Sequence, residues 1–92
     1  MNLEQIRKKI DEIDDEILSL VFKRIECSKL IAEIKFNERI QVYDELREEE
    51  ILNRIKLKSA DDYKYISTIF EEVLASSKLI QNDIIKNKRT PK

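Results

Sequence analysis

Arg24, Lys35, Arg47, Glu48, Ser77 and Gln81 each interrupt or border a stripe that is otherwise apolar. Three such cations suit a small molecule bearing carboxylates, while a glutamate, a serine and a glutamine suit a hydroxyl or a neutral oxygen. Burying that many polar groups is costly unless they satisfy one another or a ligand. The chain has no histidine, one cysteine and no glycine, so it offers no nucleophile–base pair, no ordinary metal-ligand set and no phosphate-cradling loop. If these residues do chemistry, they do it by positioning and electrostatics.

Taken singly, each has a plainer explanation. Arg24 fits a register-fixing polar residue in a helical seam, and Lys35 fits a side chain that snorkels to water. Arg47 with its acidic neighbours fits an intrahelical ion pair worth a few tenths of a kcal/mol. Gln81 fits a bridge to a neighbouring helix. Spacing makes the joint case. Arg24 and Lys35 lie about 20° apart round one helix and roughly 16 Å apart along it, with Ser28 and Ile31 on the stripe between. In VYDELREEEIL, residues 42–52, Asp44, Arg47, Glu48 and Ile51 share one stripe with Ile55, whereas Glu49 and Glu50 point elsewhere. Phe70, Leu74, Ser77 and Gln81 form another. Tyr43, Tyr63 and Tyr65 read as packing or surface residues, and Cys27, in a d slot, as a small core hydrophobe.

Helices must position these groups. Leu3, Ile6, Ile10, Ile13, Ile17, Leu20, Cys27, Ile31 and Ile34 recur at three- and four-residue steps, broken only at Arg24. That periodicity predicts one helix from Leu3 to about Phe36, with Asn37 as its stop, roughly 50 Å long. A compact chain of this length has a radius of gyration of only about 12 Å, so it cannot cover such a helix, and pairing with a second copy is expected. A second helix is predicted over about Asp44–Lys58, and SADD, residues 59–62, reads as an N-cap cluster opening a third over about Tyr63–Lys86. Residues 87–92 read as a frayed tail. The expected fold is therefore all-α, three helices in a single domain over 1–92.

Composition narrows the partners. Eighteen Lys and Arg against nineteen Asp and Glu leave a net charge of −1, which argues against nucleic acid. The opening MNLEQIRKKI lacks the continuous apolar core of a signal peptide, and no run approaches the roughly 20 apolar residues of a membrane span. A cytoplasmic protein with neither nucleic-acid nor membrane partners is expected.

Four segments in order resemble the all-helical class of chorismate mutases, over nearly the whole chain: IRKKIDEIDDEIL, LVFKRIECSKLIAEIK, VYDELREEEIL and SSKLIQ. The resemblance implies an intertwined homodimer in which Arg24, Lys35, Asp44, Arg47, Glu48, Ser77 and Gln81 line one site, with Arg7 reaching in from the partner. It implies the Claisen rearrangement of chorismate to prephenate, in phenylalanine and tyrosine biosynthesis from the shikimate pathway, with no cofactor and no metal. In that reading Arg7 and Arg24 hold the two carboxylates and Arg47 supports them. Lys35 and Gln81 donate to the ether oxygen. Glu48, helped by Asp44, accepts from the ring hydroxyl, and Ser77 steadies the ring carboxylate. Departures exist: the connection FNERIQV has neither glycine nor proline, and Tyr43 has no assigned role. No fused dehydratase, dehydrogenase or regulatory extension is visible, so feedback control within the chain is not expected. The nearest rival is isochorismate pyruvate lyase, which shares the fold and a cationic pocket but generally lacks the Asp44–Glu48 pairing. A non-catalytic helical dimerisation module is the alternative of a different class.

Overall fold

The computed structural model describes residues 1–89. The first helix, α1, spans Leu3–Glu38. Its start is a capping box: Gln5 N–H donates to Asn2 Oδ1, and Asn2 N–H donates to Gln5 Oε1, both at 2.9 Å. Its end lies beyond the expected stop at Asn37. Arg39 takes the left-handed conformation (φ 57°, ψ 40°), and its N–H reaches the carbonyls of Lys35 and Phe36. A non-glycine residue there costs roughly 1–2 kcal/mol, which the returned carbonyl bonds offset. This defines the path of the glycine-free connection: the chain turns at Arg39 and runs out to Asp44.

Helix α2 spans Glu45–Ser59 and α3 spans Tyr63–Arg89. Asp44 is the N-cap of α2, accepting from Arg47 N–H at 3.0 Å. The SADD segment corrects the expectation of three separate helices. Ser59 is still helical and buried, its hydroxyl donating to the Ile55 carbonyl, and Ala60–Asp62 form a 3-10 turn with no side-chain cap. α2 and α3 are thus joined by the 3-10 turn with no loop between them and form one helical stretch bent at Ala60 (φ 51°, ψ −129°), so the described residues make two helical stretches. The frayed tail is corrected in part as well. Residues 87–89 are helical, and Lys88 Nζ lies 2.6 Å from Glu33 Oε2 of α1. Residues 90–92 lie outside the described residues.

α1 packs along α3, and α3 along α2. The radius of gyration is 16.8 Å and the extents are 56 × 31 × 14 Å. The long dimension is that of α1 itself, at about 1.5 Å per residue, and the thin one is little more than a single helix diameter of about 10–12 Å. One layer of helices encloses almost nothing: Ala32, Ile51, Leu74 and Ile85 are the buried apolar residues among those described. The heptad seam lies open, with Ile6, Ile10, Ile13, Ile17 and Leu20 all exposed. Cys27, expected in the core, is exposed on the same account. Among the described residues no helix is long and apolar enough to cross a membrane.

Candidate active site

Where the three helices converge, they surround a cavity of about 420 Å³. Helix periodicity delivers the side chains. Arg24, Ser28, Ile31 and Lys35 descend one stripe of α1; Arg47, Glu48 and Ile51 share a stripe of α2; Leu74, Ser77, Lys78 and Gln81 share one of α3. Asp44 and Val42 close the rim from the connection. Arg24, Lys35, Asp44, Arg47, Glu48, Ser77 and Gln81 all line this one cavity. Arg7 does not. It is exposed near the start of α1, 3.7 Å from Glu4, and about 25 Å along the helix from Arg24. A larger hollow of about 690 Å³ beside Phe36, Arg39 and Arg89 shares only Lys35 with this set and holds no carboxylate, so the polar constellation belongs to the smaller one.

The floor is a chain of hydrogen bonds. Ser28 Oγ and Ser77 Oγ lie 2.8 Å apart, and Gln81 Nε2 donates to Ser77 Oγ at 3.1 Å. Gln81 is buried, and its Oε1 has no hydrogen-bond partner. Exchanging the two ends of that amide gives an equally complete chain, Ser28 to Ser77 to Oε1, and turns Nε2 outward as a free donor. A buried amide with one unpaired end is the kind of group a ligand satisfies.

The charged residues divide by partner. Lys35 Nζ donates to the Val42 carbonyl at 2.6 Å, tying α1 to the connection. Asp44 Oδ1 accepts from Arg47 N–H at 3.0 Å, and the Asp44 carbonyl accepts from Glu48 N–H at 3.0 Å. Glu48 Oε2 lies 3.0 Å from Lys78 Nζ. The Arg24 and Arg47 guanidiniums form no ion pair among the described residues. Arg24, Lys35, Arg47 and Lys78 against Asp44 and Glu48 leave the cavity with two net positive charges, which match a dianion.

Two polar members went unassigned in the sequence. Ser28 was visible on the stripe below Arg24 without a role; its partner is Ser77. Lys78 stands one turn beyond Leu74 on the cavity stripe, a spacing that would have found it.

Residues 6–82 match the model of the type II chorismate mutase family. A chorismate mutase of Methanocaldococcus jannaschii is 36% identical over 87 residues, covering 91% of this chain and 88% of that protein. A bifunctional chorismate mutase/prephenate dehydratase of Aquifex aeolicus is 42% identical over 53 residues, 58% of this chain and 15% of that protein. No solved structure matches significantly. On the family match and the breadth of the Methanocaldococcus similarity, this chain belongs to the type II chorismate mutases.

Proposed function

We infer that the cavity binds chorismate and rearranges it to prephenate, feeding phenylalanine and tyrosine biosynthesis in the cytoplasm. The observation that carries this is the meeting of nine polar residues, drawn from α1, the connection, α2 and α3, in one cavity with two net positive charges. The rearrangement is intramolecular and needs no proton transfer, which suits a site without a nucleophile–base pair.

Arg24 holds one carboxylate of the substrate, the partner's Arg7 holds the other, and Arg47 supports them. Locking the side chain over the ring in its reactive form supplies proximity, and the breaking C–O bond places negative charge on the ether oxygen. Lys35 answers that charge. Its ammonium has three donors, of which the Val42 carbonyl takes one. Gln81 adds a second donor once its Nε2 faces the cavity. Glu48, on the segment that Asp44 caps, accepts from the ring hydroxyl, and Ser77, whose one proton goes to Gln81 Oε1 in this arrangement, acts on the ligand by fixing that amide.

A homodimer completes both site and fold, with the whole of 1–92 acting as one domain. The open seam along α1 supports it. So does an apolar groove of about 430 Å³ beside Arg24, lined by Val21, Ile25, Ile69, Val73 and Ile80. Exposed apolar surface on this scale is the mark of an interface. A second α1 laid along the first would cover the seam and bring its own Arg7 toward a distant Arg24.

The direct test follows the loss of chorismate absorbance with purified protein and then identifies the product. Prephenate supports the assignment. Pyruvate released from isochorismate, without prephenate from chorismate, would transfer it to the lyase, and a folded dimer inert to both would leave a dimerisation module.

A further inference from the structure

Lys78 has no part in the roles above, yet it is the cation in contact with the cavity's glutamate. Its Nζ reaches both carboxylate oxygens of Glu48, at 3.0 Å and 3.4 Å. The same ammonium lies 5.0 Å from the centroid of the Tyr43 ring, within cation–π range. Three segments therefore meet at one charge: the connection through Tyr43, α2 through Glu48 and α3 through Lys78. The Glu48 and Lys78 side chains are 22% and 35% exposed, so water screens the pair only in part.

A carboxylate inside a pocket for a dianion poses an electrostatic problem. Unpaired, Glu48 would repel both carboxylates of the ligand, and its plane would be free to turn. A lysine touching both oxygens cancels that charge and holds the plane, leaving the outward lone pairs to accept a hydroxyl. The aromatic face of Tyr43 favours the ammonium staying on Glu48 over swinging across to the ligand's own carboxylates.

We propose that Lys78, held against Tyr43, is a positioning residue that neutralises and orients Glu48, so that the pocket accepts a dianion that also carries a hydroxyl. This rests on the assignment of Glu48 to that hydroxyl. The test is a double-mutant cycle on turnover of chorismate, with thermal melts to establish that each variant is folded. Lys78→Met should raise KM about tenfold with little change in kcat, as for lost uniform binding. Lys78→Arg, which keeps charge and ring contact, should stay within about threefold of the parent. In a Glu48→Gln background, Lys78→Met should add less than about twofold, because its target has gone. Equal losses in both backgrounds would show Lys78 acting on the ligand directly and overturn the proposal, as would unchanged kinetics of Lys78→Met. A harmless Glu48→Gln would remove the hydroxyl assignment and the role of Lys78 together, whereas a damaging Glu48→Gln with additive losses removes the role of Lys78 alone.

Discussion

Ser28 and Ser77 stand 49 residues apart in the chain and 2.8 Å apart from Oγ to Oγ. That contact joins α1 to α3 beneath the cavity, and Ser77 passes it on to the buried amide of Gln81. Ser77→Ala removes the middle member and strands Ser28 Oγ and the inward end of the Gln81 amide. Each orphaned buried group costs about 1–3 kcal/mol. The urea midpoint at fixed protein concentration should fall accordingly, and kcat should drop with it, because Gln81 loses the partner that fixes its amide. An unchanged midpoint would contradict a buried, continuous chain.

Arg24 is half-buried, occupies a slot in the apolar seam of α1 and faces the cavity without an ion-pair partner among the described residues. Its desolvation is a cost to folding that a bound carboxylate would recover. Arg24→Ala should therefore leave the protein folded and at least as stable as the parent while lowering kcat/KM by about three orders of magnitude, the scale of a lost preorganised electrostatic contact. Gel filtration and turnover on the same sample check both halves. A folded, fully active Arg24→Ala variant would refute the role.

What was legible in the sequence was what helical periodicity controls. The stripes through Arg24 and Lys35, through Arg47 and Glu48, and through Ser77 and Gln81 follow from 3.6 residues per turn, and three amphipathic helices must turn those stripes inward. Pairings between helices were not legible. The spacing of Lys78 from Leu74 puts it on the cavity stripe, but its pairing with Glu48, thirty residues earlier, is set only by how α2 packs against α3. Backbone detail was hidden for a different reason. An arginine in the left-handed region at 39 carries none of the glycine signal that marks most helix ends. Likewise Ser59 turned its hydroxyl back onto the preceding turn instead of capping the next helix. Cys27 fits the heptad, but a heptad position becomes core only when a second helix covers it.

Lys35 bridges α1 and the connection through the Val42 carbonyl and keeps two donors for a ligand. Because charge on the ether oxygen develops only as the bond breaks, its loss should fall on kcat. Lys35→Ala should lower kcat about 10²–10³-fold, as for removal of an oxyanion donor. A change confined to KM would refute that assignment and leave Lys35 as a tether for the connection.

Arg7 and Arg24 lie about 25 Å apart along one rigid helix, too far to hold the same small dianion in cis. Arg7→Ala and Arg24→Ala should each be inactive as pure homodimers. Mixed by unfolding and refolding in equal amounts, half the dimers should carry one chain of each kind. In such a dimer one site lacks both arginines, and the other keeps Arg24 of one chain and Arg7 of the other. A shared site therefore predicts recovery of about a quarter of parental activity, whereas a site built from one chain predicts none, since each would still lack one arginine. Heterodimers verified by differential tagging and still inert would exclude the contribution of Arg7 across the interface.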